Sequence, residues 1–209
     1  MASGRSFALL SARTRFRGRF IALVGPDGVG KTTVAVEVCR ASRNGSAYFH
    51  FYPPLGRPLP SAPPATSVPN PEKGLRRGSM PLGLLRIARN YIRFWLGYFF
   101  KVRPALARGV LVVADRWAYG YVVQPHALKF FGPEWVARLA IASLPTPDLV
   151  ANLTAPVAVI HARKQELSEP QIEAELAAWA AIPAPHLESF DTQGPPAATA
   201  TRILDAVDS

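Results

Sequence analysis

Residues 20–33 read Phe-Ile-Ala-Leu-Val-Gly-Pro-Asp-Gly-Val-Gly-Lys-Thr-Thr. Phe20 to Val24 form a continuous apolar run closed by Gly25, the pattern of a strand buried on both faces. Lys31 to Arg43 then reads as a helix. Between the two, Gly25, Gly28 and Gly30 free the backbone from Cβ clashes, so consecutive N–H groups can curl around a phosphate. The helix that follows adds the positive end of its dipole. Lys31 can reach β- and γ-phosphates, and Thr32 offers a hydroxyl to Mg²⁺. Gly25 to Thr32 satisfies Gly-x-x-x-x-Gly-Lys-Thr between a buried strand and a helix. That context separates a phosphate-binding loop from a chance Gly-rich turn.

The same alternation continues along the chain. Ala47 to Tyr52 reads as a second strand, Val110 to Ala114 as a third, Leu149 to Leu153 as a fourth and Leu187 to Phe190 as a last one. Helices are expected at 81–102 (stopped at Pro104 or slightly beyond), 133–143, 155–163, 169–181 and 196–207. Strands alternating with helices give an α/β protein. With the Gly-rich loop, the expected fold is a three-layer P-loop NTPase fold: a parallel five-stranded sheet, helices on both faces and a short lid. Residues 53–71 contain eight prolines, which no helix or central strand survives, so 53–79 is expected to be a mobile surface loop. Residues 1–18 read as a basic extension expected to be disordered, 19–209 as one domain and 163–181 as the lid region.

Composition sets outer bounds. The chain has 209 residues, 49% hydrophobic and 18% charged, enough for one core and too apolar for a disordered chain. Cys39 is the only cysteine, which excludes a disulfide scaffold and, with no matching His spacing, a zinc site. Lys and Arg number 24 against 14 acids, so the surface should attract anions. The charge is uneven: residues 72–108 hold nine bases and one acid, and residues 148–209 hold nine acids and three bases. No 18-residue window is free of charge, so no membrane span is expected. The five arginines and no acid in residues 1–20 suit a plain extension in a cytoplasmic protein; an organellar transit peptide has the same composition.

Three further features carry chemistry. Asp115 ends the third strand, the Walker B arrangement that puts a carboxylate near the Mg²⁺ beside the first strand. Arg116 follows it and is suited to clamp transferring phosphates, because guanidinium is always charged and bidentate. Arg86, Arg89, Asn90, Arg93 and Lys101 fall roughly on one helical face. Such a face suits either an anionic-acceptor pocket or a solvated basic surface, one that could touch nucleic acid or anionic lipid. Arg163 or Lys164 could swing over a γ-phosphate as a lid, although cations at a helix C-terminus are also common. No Gly-x-Ser-x-Gly exists, and Asn152-Leu153-Thr154-Ala155 fails the guanine reader that a GTPase needs.

Four ordered blocks resemble thymidylate kinases. They are Phe20 to Thr33, Val112 to Trp117 with Asp-Arg-aromatic, Pro147-Asp148-Leu149 leading into a strand, and Asp191-Thr192-Gln193-Gly194-Pro195 before the last helix. Gly97 to Pro104 and Arg163 to Ser168 are similar to the thymidylate-kinase-like proteins associated with polysaccharide biosynthesis. The resemblance covers residues 19–207.

The resemblance implies ATP and Mg²⁺ as cofactors and a nucleoside monophosphate as acceptor, dTMP first. Gly25, Asp27, Gly28, Gly30, Lys31, Thr32 and Thr33 would form the ATP loop, with Thr32 and Asp115 on the metal. Lys31, Asp115, Arg116 and Arg163 would be catalytic. Asp27, Arg57, Arg86, Arg89, Arg93 and Arg116 would face the acceptor. Positioning and charge neutralisation suffice for phosphoryl transfer, so the set is chemically complete. The small-molecule nucleotide would be the partner, with a homodimer as in relatives and no specific nucleic-acid binding. The departures are the displaced Arg57 after His50-Phe51-Tyr52-Pro53-Pro54, a lid helix without Arg from Gln165 to Ala181, and Gly120 where the polysaccharide-linked relatives carry Asp. They leave a second reading: an ATP-binding protein with another phosphorylated acceptor, or a non-catalytic regulatory or scaffold relative.

Overall fold

The computed structural model describes residues 18–64, 79–165 and 167–209. Within them β1 (Phe20–Val24), β2 (Ser46–His50), β3 (Leu111–Asp115), β4 (Leu149–Thr154) and β5 (Leu187–Asp191) form one parallel sheet in the order β2-β3-β1-β4-β5. The central β1 pairs with β3 on one side (Phe20 opposite Val112, Leu23 opposite Asp115) and with β4 on the other (Ile21 opposite Leu149). Hence the loop after β1 and the end of β3 emerge side by side, and ligands of such sheets bind at the carboxyl ends of the strands. The first turn of β4 is tied down by Asp148, whose Oδ2 accepts the Phe20 N–H at 2.8 Å while its own N–H donates to the Phe20 carbonyl at 2.7 Å.

The three layers follow from alternation. Phe20, Ala22 and Val24 point to one face, where they meet α2 (Met80–Gly97), α3 (Arg103–Ala107) and α5 (Glu134–Ala142). Ile21 and Leu23 point to the other, against α1 (Lys31–Ala41), α6 (Val157–Arg163) and α8 (Pro196–Asp208). The lid-region helix α7 (Glu169–Ala180) sends Ile172 to the second cluster and Trp179 to the first. The expected α/β architecture with a five-stranded parallel sheet is therefore present.

Three details differ from the expectation. β2 stops at His50 rather than Tyr52, because Phe51 turns into the left-handed region (φ 62°). The long helix expected over 81–102 is broken into α2, a π-helical turn over Tyr98–Val102, and α3. Arg103 N–H donates to the Tyr98 carbonyl five residues back, and this wider turn admits Pro104 in the first turn of α3 instead of ending the helix there. The short α4 (Gly120–Val123) was not foreseen, since four residues are too few for a periodic signal.

The described part of the Pro-rich segment, residues 51–64, holds neither helix nor strand. It runs along the open edge of β2: Tyr48 N–H donates to the Pro60 carbonyl at 2.7 Å, and Ser46 Oγ to the Ser61 carbonyl at 2.5 Å. Proline has no N–H to offer a partner strand, yet its carbonyl still satisfies β2, so the edge is blunted. Gly97 allows α2 to approach this segment closely; a Cβ there would lie 2.8 Å from the Pro53 ring. The remainder of the expected loop, from residue 65 to 78, and the N-terminal extension through residue 17 lie outside the described residues, as does any transit peptide.

Candidate active site

The loop between β1 and α1 takes the shape that its glycines permit. Gly25, Gly28 and Gly30 have φ of 135°, 87° and 102°, where L side chains are strained. At Gly25 a Cβ would also meet the Leu153 carbonyl of β4 at 2.6 Å. Lys31 is 7% exposed and curls back over the loop, donating to the Gly25 carbonyl at 2.9 Å and the Pro26 carbonyl at 2.7 Å. Burial and then the Arg116 charge pull its pKa down from 10.5 to about 8, against the opposing carboxylates of Asp115, Asp27 and Glu175.

Asp27 is the hub of the loop. Its carboxylate accepts a short hydrogen bond from Arg116 and lies 3.6 Å from Lys31 Nζ and 3.8 Å from Lys164 Nζ. Three cations on one carboxylate leave an excess of positive charge that an arriving phosphate can claim. Arg116 adopts φ 74° and Trp117 φ 42°, two consecutive non-glycine residues in a sparsely populated region. Strain of this kind persists only where the surroundings impose it, and it concentrates at functional sites. Here the Arg116 N–H is pinned to the Leu23 carbonyl at 2.8 Å, and Trp117 is locked among buried rings.

Asp115 is 5% exposed at the end of β3. Its Oδ2 accepts from the Tyr48 hydroxyl at 3.2 Å and lies 3.2 Å from His50 Nδ1. Burial opposes its charge, but the His50 hydrogen bond, Lys31 and Arg116 together outweigh burial and hold its pKa below the usual carboxylate range. Burial, then the neighbouring Asp115, push the Tyr48 hydroxyl upward, so it stays protonated and can only donate to that carboxylate. The other oxygen, Oδ1, is buried with no hydrogen-bond partner among the described residues. An orphaned carboxylate oxygen in the cleft that Thr32 also lines fits a hard cation that retains waters and phosphate oxygens. No cluster of three or more His, Cys, Asp or Glu that could cage a metal occurs among the described residues.

These groups line a cleft of about 1890 Å³. Pockets for one small molecule measure roughly 300–1,000 Å³, so this cleft has room for a donor and an acceptor together. Asp27, Gly28, Gly30, Lys31, Thr32, Thr33, Asp115, Arg116, Arg163, Arg57 and Arg93 all line it. Gly25 shapes the loop from beneath. Arg163 donates to the Val29 and Thr192 carbonyls, each at 3.4 Å, which holds it over the loop. Arg93 lies 3.9 Å above the Tyr52 ring, a cation–π contact on the opposite wall. The basic stripe divides here. Arg86 reaches the Lys129 carbonyl at 3.4 Å and Arg89 rests on Asn90 Oδ1 at 3.3 Å, and neither lines the cleft.

Sequence reading missed Gln124 and Glu175, which continue the chain of contacts outward from Arg116. An isolated Gln eight residues after an Arg, and a Glu in an acidic helix, carry no pattern; only the fold brings them together. Tyr48 was missed for the same reason; Thr192, part of the block before the last helix, was given no role. Thr192 Oγ1 bridges the Val29 and Thr154 carbonyls at 2.8 and 3.1 Å and so closes the back of the loop.

No protein-family model matches the sequence, and no curated protein is a significant match. Solved structures do match. The thymidylate kinase of Candida albicans superposes with a TM-score of 0.56 at 17% identity, over 92% of each chain. The thymidylate kinase of Ehrlichia chaffeensis superposes with a TM-score of 0.52 at 12% identity, over 92% of this chain and all of the other. The chain has the fold of the thymidylate kinases. At 92% of this chain, the likeness is to most of the domain and not to the loop after β1 alone. Among the described residues no helix is long and apolar enough to cross a membrane.

Proposed function

We propose that the protein transfers a phosphoryl group from ATP to a nucleoside monophosphate, with dTMP as the first acceptor to test. The observation that supports this best is the convergence of Lys31 and Arg116 on Asp27 at the floor of one two-ligand cleft. In this reading the loop N–H groups and Lys31 hold the donor phosphates. Arg116 leaves Asp27 to meet charge developing on the transferred group, and Arg163 covers it from the α6 side. Arg93, Arg57 and Asp27 face the acceptor. Thr32 and Asp115 would hold Mg²⁺, which supplies charge neutralisation on the phosphates when bound. The Candida albicans enzyme has broad substrate specificity, so the acceptor panel should include other nucleoside monophosphates and phosphorylated sugars. The test is ATP consumption with Mg²⁺ across that panel, with Lys31→Ala as control. Transfer to dTMP supports the reading as stated; transfer to another member keeps the chemistry and moves the substrate. Tight ATP binding without any transfer favours the regulatory alternative.

We also propose that two copies of the chain associate through α2 and α5. Leu85, Ile92, Leu96 and Phe99 lie at offsets of 7, 11 and 14 residues, one helical face, and are 66%, 57%, 39% and 45% exposed. Trp135 and Leu139 on α5 are also exposed, at 65% and 63%, and Ser143 just after α5 donates to the Tyr91 hydroxyl of α2 at 3.1 Å. An apolar patch of this extent is rarely left in water. Light scattering should give a dimer mass for the wild type and a monomer for Leu85→Asp/Leu96→Asp. A monomeric wild type at micromolar concentration would refute the interface.

A further inference from the structure

Arg116 is held on two sides by different chemistry. On one side is the carboxylate of Asp27. On the other, its Nη1 donates to Gln124 Oε1 at 2.8 Å, and Gln124 Nε2 donates in turn to Glu175 Oε1 at 2.6 Å. Four elements contribute one link each: the β1–α1 loop, the end of β3, the residue after α4, and α7. We propose that Gln124 and Glu175 are positioning residues that aim Arg116 and bolt the lid-region helix to it, an inference that rests on the phosphotransferase reading.

The order of the links is the argument. Guanidinium can only donate and carboxylate can only accept, so the amide between them has one workable orientation, Oε1 toward Arg116 and Nε2 toward Glu175. The backbone at Arg116 fixes where the side chain starts but not where its planar head points. Asp27 alone would hold that head by neutralising it, in competition with any phosphate. A neutral amide orients the guanidinium and leaves its charge for the ligand. Glu175 is needed because an amide on a partly exposed loop end would otherwise rotate freely. Its other oxygen, Oε2, is buried without a hydrogen-bond partner among the described residues, and its charge also supports that of Lys31. The relay also gives α7 a role. That helix carries Glu169, Glu173 and Glu175 and no base, so it cannot bind phosphate itself; it acts by holding the residue that can.

The test compares Gln124→Ala, Glu175→Ala, their double variant and the conservative Glu175→Gln, whose amide oxygen can still accept from Gln124. Partners that orient a functional group typically matter about tenfold to a hundredfold. The expected result is a fall of about that size in kcat for either alanine variant, with the Kd for MgATP within about twofold. The double variant should be no slower than the worse single, since both act through Arg116. Glu175→Gln should recover most of the rate. Unchanged kcat, multiplicative losses in the double variant, or a loss confined to the KM for ATP would each overturn the relay. If the wild type transfers phosphate to no acceptor, the kinase reading fails separately. The relay is then decided by ¹⁵N NMR of the Arg116 guanidinium. Resolved, slowly exchanging Nη signals in the wild type and Glu175→Gln that average in Gln124→Ala uphold it; averaged signals in the wild type refute it.

Discussion

Replacing Lys31 by Met is expected to abolish transfer while leaving the fold intact. Removing one preorganised donor at a site of developing charge costs about 10²–10³ in kcat, and in the proposed function Lys31 would serve both donor binding and charge neutralisation. The ammonium is buried against the Gly25 and Pro26 carbonyls, with a pKa lowered to about 8 chiefly by burial. That shift gives two signs to check. Phosphate needs the charged lysine, so ATP affinity should hold below pH 8 and weaken as pH rises above it, by up to about tenfold per unit. Isothermal titration between pH 6.5 and 9.5 would show this slope in the wild type, and Lys31→Met should bind weakly without it. For stability the sign is that of a carboxylate with a depressed pKa, rising with pH, and the reverse of a lysine whose pKa a partner raises. A folded pKa below the unfolded value means the charged form costs stability below about pH 8, a cost that fades as pH climbs toward 10.5. The melting temperature of Lys31→Met at pH 7 should therefore equal or exceed that of the wild type. A melting temperature clearly lower, with activity lost in proportion, would make Lys31 a structural residue.

What the sequence discloses and what it withholds divide along range. Phe20 to Thr33 reports its own structure because each requirement is local: an apolar run for a central strand, glycines where φ is positive, a helix after them. Asp115 and Arg116 are legible for the same reason, at the end of a second apolar run. Boundaries fail where a single dihedral decides, as at Phe51, or where a loosened turn carries a helix past a proline, as at Tyr98–Val102. The basic stripe shows the harder limit. Arg86, Arg89 and Arg93 share a helical face in sequence, yet α2 rises past the cleft so that Arg93 enters it while Arg86 and Arg89 end on Lys129 and Asn90. Spacing gives a face; only the crossing of the helix over the sheet gives its depth. Gln124 and Glu175 are 51 residues apart and join through side chains alone, which no local pattern encodes.

Trp117→Ala is expected to be among the most destabilising single changes in the protein. The indole is 1% exposed and stands edge-on to three rings, with centroids 5.2 Å from Phe20, 5.9 Å from Phe49 and 4.8 Å from Phe94. Those rings belong to β1, β2 and α2, so one side chain joins the central strand, the edge strand and the long helix. Truncating a buried Trp costs about 3–5 kcal/mol through lost contacts and the cavity left behind. Against a total of about 5–15 kcal/mol that is a large fraction, and in a chain of this length it should lower the melting temperature by on the order of 10 °C. Alanine keeps the backbone constraint at φ 42°, so the loss reports on packing and not on relieved strain. Trp117→Phe should recover more than half of it, because a ring still fills the junction. The activity of the molecules that remain folded should also fall, because loss of the buried indole loosens the backbone next to Arg116, which is held at φ 74°. Differential scanning calorimetry and acceptor kinetics at 10 °C, where the variant is folded, separate the two effects. A melting-temperature loss of only about 3 °C or less would show that the core closes around the gap.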